Sequence, residues 1–263
     1  MTEVLINPGD PPPFETLNDE GAAPLLLICD HASCSIPERF DNLGLNQEAL
    51  EDHIGWDIGA AAVTRRLSIL LDAPAVLAGY SRLLIDCNRP EGALDLVPSL
   101  ADGRLIPGNQ RLNAEDVAAR RAAFFEPYHQ EIRNFLDKFE TCGIVPLLAS
   151  IHSFNPTMSS KDESRPWVVS ICWNRDGRVA LPMLSALRAE GLCVGENQPY
   201  GFDSLSDYAI PEYGLKRGLP HVLVELRNDQ VNDEVGVAAW SDRLARHLIS
   251  ALADPANHCL KHF

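Results

Sequence analysis

The chain has 263 residues, of which 46% are hydrophobic, 22% charged and 7% aromatic, the proportions of a folded globular protein and not of a disordered one. Its 37 acidic residues outnumber its 22 basic ones, for a formal charge of −15, so the basic face that a nucleic-acid binder needs is not expected. No apolar run approaches the roughly 20 residues that a membrane helix requires.

Residues 1–22 read as an extended arm broken by Pro11, Pro12 and Pro13. The arm is acidic and lacks the basic start and apolar stretch of a signal peptide. PLLLICDH follows, an unbroken apolar run suited to a strand buried on both faces. Residues 47–72 carry a helical pattern that Gly55 interrupts, leaving Asp57 near the start of the longer helix. PAVLAGYS and RLLIDCN read as two successive strands, and residues 99–112 as a polar loop. From Asn113 to about Thr141 apolar residues recur at helical spacing. IVPLLASIHS is a further buried strand, and the polar stretch 152–166 after it is long enough to be a functional loop. WVVSICWN is read as a strand, RVALPMLSALRAEG as a helix, and LCVGENQPY and LPHVLVELRN as the last strands. VGVAAWSDRLARHLISALAD is the closing helix. Strands alternating with helices predict a three-layer α/β sandwich around a mixed, mostly parallel sheet, with residues 23–263 forming a single domain. The seven cysteines are scattered without CxxC spacing. That pattern suits neutral thiols in a reducing compartment and makes the cytoplasm the expected location.

Four of these segments end in polar clusters: ICDHAS, IDCNRP, SIHSFNP and VELRND. In open α/β sheets, sites lie beyond the carboxyl ends of the strands, so the clusters are expected to converge on one pocket. HIGWDIG adds His53 and Asp57 at a helix start. His31 and His152 each stand where a core strand meets a loop. Either alone could simply cap its strand by hydrogen bonding. Together, with acids nearby, they suit a metal site of two histidines and a carboxylate with a position left for water. Asp57, Asp30 and Glu38 are the candidate carboxylates. Arg89, after Asn88, either pairs with an acid such as Asp86 or grips a substrate carboxylate by a two-pronged hydrogen bond. Arg82 is a second candidate, with structural pairing the simpler reading. Glu225 stands inside an apolar strand, where an unpaired carboxylate is costly. It either pairs with Arg227 on the same face or serves as a general base.

No GxSxG elbow, dinucleotide fingerprint or phosphate-binding glycine loop is present, which disfavours serine hydrolase and nucleotide chemistry. His129, His247, His258 and His262 are expected on helix surfaces or near the chain end. Cys34 is expected to be a neutral thiol.

CDHASCSIP, HIGWDIGA, SRLLIDCNRP, IHSFNP and LVELRNDQV resemble, in order through residues 24–230, the N-formylglutamate amidohydrolase family. The resemblance implies a zinc-exopeptidase-like fold, a bound Zn²⁺, and hydrolysis of N-formyl-L-glutamate to formate and L-glutamate late in histidine degradation. A more distant similarity to zinc carboxypeptidases implies roles for single residues. Asn88 and Arg89 would hold the substrate carboxylate, His31 and His152 the zinc, and Glu225 would be the base. Carboxypeptidases carry a zinc-binding Glu three residues after the first histidine, where this chain has Cys34. Asp57 is therefore the expected third ligand, ahead of Asp30 and Glu38. The second carboxylate of a glutamyl substrate would need another cation, for which Arg82 and Arg227 are candidates. The expected partner is a small N-acyl amino acid, with no nucleic acid and no membrane. The rival readings are a carboxypeptidase-like peptidase and a non-catalytic binding protein of the same fold.

Overall fold

The computed structural model describes residues 4–157, 164–200 and 207–263. Strands β1 (Phe14–Leu17), β2 (Leu25–Cys29), β3 (Ala75–Ala78), β6 (Leu147–Phe154), β7 (Val169–Cys172), β8 (Val194–Glu196) and β9 (His221–Arg227) form one sheet in the order β1-β3-β2-β6-β9-β7-β8. β3, β2, β6 and β9 run parallel, β7 is antiparallel to β9 but parallel to β8, and β1 is antiparallel to β3. The sheet is thus mixed and mostly parallel, as expected. Residues 14–17 of the N-terminal arm are extended and supply its edge strand.

The alternation of side chains along a strand accounts for the layers. Leu25, Leu27 and Cys29 of β2 enter one core together with helices α2 (Ala60–Leu71), α5 (Ala180–Ala189) and α6 (Glu234–Ala253). Leu26 and Ile28 enter a second core on the opposite face, with Tyr128, Ile132 and Leu136 of α4 (Glu126–Thr141). All five β2 residues are fully buried, which is why the run shows no polar alternation. Each fully buried Leu or Ile contributes about 1.5–3 kcal/mol of transfer free energy.

The helical pattern of residues 47–72 divides as the glycines require. α1 (Gln47–Glu51) stops, and α2 begins at Ala60. A Cβ on Gly55 would strike the Leu50 carbonyl oxygen, and Gly59 has a φ of +83°; both favour a residue without a side chain. The long helix from residue 114 is α3 (Ala114–Arg120), a π turn over Arg121–Phe125, and α4. Pro127 has no N–H to give to the preceding turn, and the Glu126 N–H bonds back to Arg121 O, five residues away, which widens the helix there.

Two expectations are corrected. RLLIDCN is not a strand but a series of turns. Its Leu83, Leu84 and Ile85 are buried in the second core, while its polar side chains take local backbone bonds instead of a ladder. The Asn88 N–H donates to Asp86 Oδ1 at 2.8 Å, and Ser81, just before the segment, ties it to the preceding loop through Gly55 O at 2.7 Å. Within the polar loop 99–112 lies a small hairpin, β4 (Leu100–Ala101) and β5 (Arg104–Leu105). Asp102 and Gly103, with φ of 41° and 81°, supply the positive-φ pair that a tight hairpin turn needs. The middle of the 152–166 stretch, residues 158–163, lies outside the described residues. Among the described residues no helix is long and apolar enough to cross a membrane.

Candidate active site

Three segments meet at the carboxyl end of β2 and β6. His31 follows β2 by two residues, His152 lies near the end of β6, and Asp57 sits in the loop that leads into α2. The Asp57 N–H donates to His31 O at 3.0 Å, and Asp57 Oδ2 accepts the Ser153 N–H at 3.2 Å, so backbone bonds fix this loop against both strands. Asp57 Oδ2 is 3.4 Å from His31 Nδ1 and 2.9 Å from His152 Nδ1. The three ligand atoms lie within 4.8 Å of one another, and all three residues are buried.

Two imidazole nitrogens and one carboxylate oxygen around a common point match the donor set of an open, catalytic zinc site. The far side of each ring is also held. His31 Nε2 donates to Asp86 Oδ1 at 2.7 Å. His152 Nε2 has Ser150 Oγ at 2.9 Å and Asp30 Oδ2 at 3.3 Å. Acceptors behind Nε2 fix each ring with its Nδ1 facing Asp57 Oδ2 and the shared point, the orientation that metal-binding histidines need. Burial alone would push the Asp57 carboxyl up, but His31 and His152 outweigh it and hold Asp57 well below the usual carboxylate range. Asp86 is likewise buried, and His31 and Arg82 keep it ionised.

The rivals for the third position lie elsewhere. Asp30 is behind His152, where it accepts the Tyr128 hydroxyl at 2.7 Å. Glu38 is exposed in a 3-10 turn. Neither lines the cavity.

Glu225 of β9 stands directly across the parallel ladder from His152. It is 8% exposed, and its Oε2 is buried without a hydrogen-bond partner. Burial pushes its carboxyl up to about 7, with the negative charge of Asp57 adding to the effect and His152 opposing it. The pairing of Glu225 with Arg227 is not formed. Arg227, at the strand end, bonds Asp229 at 2.8 Å and the carbonyls of Arg165 and Pro166. It does not line the cavity, so it is not placed to meet a substrate there.

The cavity has a volume of about 600 Å³ and takes in His31, Asp57, His152, Arg82, Arg89 and Glu225. Arg82 bonds Asp86 at 2.9 Å and reaches Asp57 Oδ1 at 3.5 Å. It thus ties the acid behind His31 to the acid between the histidines. Arg89 pairs with the exposed Asp95 at 2.6 Å and lies 3.7 Å from Asp207. Asn88 also lines the cavity, but its amide is engaged. Its Oδ1 accepts the Tyr208 and Ala209 N–H groups, each at 3.0 Å, and its Nδ2 donates to Asp207 at 3.3 Å. It therefore acts as a brace for residues 207–209.

Sequence reasoning treated Asp86 only as an ion-pair partner and missed its place behind His31. The signal was present, because Asp86 ends an apolar run at the same solvation cost that singled out Glu225. Asp102, Tyr200 and Asp207 were missed because their neighbours in sequence carry no motif. His129 is not a surface residue. It is fully buried beside Phe125, Tyr208 and Tyr213, and its Nε2 donates to Cys87 O at 2.9 Å.

A profile of the N-formylglutamate amidohydrolase family matches residues 23–231. No curated protein matches the chain. Among solved structures, a gene product from Agrobacterium tumefaciens is 31% identical, with a TM-score of 0.91 over 95% of this chain and 98% of that one. The N-formylglutamate amidohydrolase from Ralstonia eutropha has a TM-score of 0.68 over 91% of this chain and 97% of that one. At 18% identity that second likeness speaks for the fold alone. The seven-stranded mixed sheet, the buried histidine pair at its carboxyl edge and the profile match over most of the sequence lead to one assignment: the chain belongs to the N-formylglutamate amidohydrolase family.

Proposed function

We propose that the protein is a metal-dependent amidohydrolase that cleaves the amide of a small N-acyl amino acid, with zinc as the metal. Family membership supports the amidohydrolase class, and the family's name makes N-formyl-L-glutamate the first compound to assay. The observation that carries the reading is the convergence of His31, His152 and Asp57 beside an unpartnered, buried Glu225.

His31, His152 and Asp57 would hold the ion, which when bound polarises an amide carbonyl and acidifies water. Glu225 sits in the neighbouring strand, with one carboxylate oxygen uncommitted. It takes a proton from the attacking water and passes it to the leaving amine. A carboxyl raised to about 7 suits a group that must both accept and return a proton near neutral pH. Arg89 exchanges the exposed Asp95 for the α-carboxylate of the substrate, and Asp86 and Ser150 keep the two imidazoles in register. Metal analysis combined with an amine-release assay on N-formyl and N-acetyl amino acids tests this function. Turnover that is lost on chelation and restored by Zn²⁺ is the expected result. Metal-replete protein that releases no amine from any N-acyl amino acid would remove the proposal.

A further inference from the structure

Tyr128 belongs to α4, a helix of the second core none of whose residues lines the cavity. Its ring is fully buried, and its Oη donates to Asp30 Oδ1 at 2.7 Å. Asp30 follows β2 directly and is itself buried. Its other oxygen, Oδ2, accepts the Ser150 hydroxyl at 3.4 Å and lies 3.3 Å from His152 Nε2. Burying a carboxylate is costly unless its neighbours donate to it. Here three segments supply donors: α4 with Tyr128, and β6 with Ser150 and His152, around a residue at the end of β2.

The directions of these bonds have a consequence for His152. A carboxylate only accepts, and a serine hydroxyl has one proton to give. Ser150 gives its proton to Asp30, so its oxygen, 2.9 Å from His152 Nε2, accepts there. Nε2 therefore faces two acceptors and carries the ring proton. The hydrogen bond made at one imidazole nitrogen sets whether the other is available to an ion. If Asp30 turned away, Ser150 would be free to donate to Nε2, and the ring proton would pass to Nδ1, the side that faces Asp57. The Tyr128 bond prevents that turn. Burial and the negative charge of Asp30 push the Tyr128 hydroxyl well above its ordinary pKa, so it remains a donor. The same plan recurs at the other histidine, where Asp86 stands behind His31 Nε2 and Arg82 fastens Asp86.

We propose that Tyr128 is a positioning residue for the metal site, acting through Asp30 to hold His152 in the tautomer whose Nδ1 is open to the ion. This rests on the metal reading above and extends it from the cavity wall to α4.

The test is zinc affinity, measured on metal-stripped full-length protein by competition with a chromogenic chelator. Tyr128→Phe keeps the ring and removes one oxygen. It should weaken zinc binding at least about threefold, and Asp30→Asn about 10–100-fold, as for outer partners of ligating histidines. The double variant should bind no more weakly than Asp30→Asn alone, because both changes cut the same chain. Tyr213→Phe controls for packing. Its hydroxyl is buried in the same aromatic cluster but bonds the His129 carbonyl at 3.4 Å and Arg133 at 3.2 Å. That variant should lower the melting temperature of the metal-free protein and leave zinc affinity unchanged. Unaltered affinity in Tyr128→Phe, or an equal loss in Tyr213→Phe, overturns the proposal. Unaltered affinity in Asp30→Asn also overturns it, whether or not Tyr128→Phe folds. Wild-type protein that binds no zinc overturns the metal reading itself.

Discussion

Replacing Glu225 with glutamine separates a catalytic carboxylate from a structural one, because the two roles predict opposite signs for stability. In the fold, burial raises the Glu225 carboxyl from 4.5 to about 7. The folded protein therefore binds a proton between those values that the unfolded chain has released. Stability falls as the pH rises from about 4.5 to 7, and the full cost remains above 7. At 1.36 kcal/mol per unit of pKa, that cost is at most about 3 kcal/mol. Glutamine keeps the shape and carries no charge, so in metal-free protein at pH 8 the Glu225→Gln variant should melt several degrees higher than wild type, at roughly 2–4 °C per kcal/mol. Its kcat should fall by about 10²–10⁴, the usual contribution of a positioned acid–base group. Zinc content should not change, since Glu225 is not one of the three converging ligands. Differential scanning calorimetry at pH 5 and pH 8, metal analysis and an amine-release assay on one preparation decide the matter. A lower melting temperature at pH 8 with turnover near that of wild type would refute the reasoning and return Glu225 to an ordinary structural role.

Three further outcomes are expected. His31→Ala and His152→Ala should each lose the metal, whereas Asp86→Asn should retain it with about 10–100-fold weaker affinity, as when an outer partner of a ligating histidine is removed; competition with a chromogenic chelator reads both. Arg89→Ala should cost about 2–4 kcal/mol in kcat/KM toward N-acyl amino acids with a free carboxylate, and a similar loss toward the corresponding α-amides would count against carboxylate recognition. His129, whose buried ring is lowered to about 4 by desolvation, stays neutral in the fold while the unfolded chain takes up a proton below about 6.5. Its contribution to stability is complete above that pH and declines by about 3 kcal/mol as the pH falls to 4, so the melting-temperature difference between wild type and His129→Gln should shrink over that interval.

The fold was legible where hydrophobic period and length agreed. LLLIC is buried on both faces because α2 covers one and α4 the other, and its unbroken apolar run reports that. RLLIDCN misled for the same reason. Leu83, Leu84 and Ile85 are buried, but burial does not require a ladder when Asp86 and Ser81 supply the backbone bonds. At the site, His31, His152 and Glu225 stood out because polar groups in or at the ends of apolar strands need a reason to be there, and Asp57 because HIGWDIG places it at a helix start. Arg227 satisfied the same pattern, yet it turns to Asp229 and the carbonyls beyond the strand end. Alternation assigns a side to each residue but not a partner. Asp102, Asp207 and Tyr200 come from loops, and only tertiary closure brings them to the cavity. His129 was misplaced because its helix packs aromatic residues around a polar ring, a burial that helical spacing alone does not distinguish from exposure.

His152 and Glu225 occupy facing positions in the hydrogen-bonded ladder of β6 and β9, whereas Ala101 and Asp102 reach the cavity from a two-stranded hairpin that is no part of the main sheet. The groups proposed to react would inherit the stiffness of the sheet, and the outer wall the tolerance of a surface hairpin. Exchanging the hairpin for one of different length or charge would reshape the cavity wall while leaving His152 and Glu225 where the main sheet holds them.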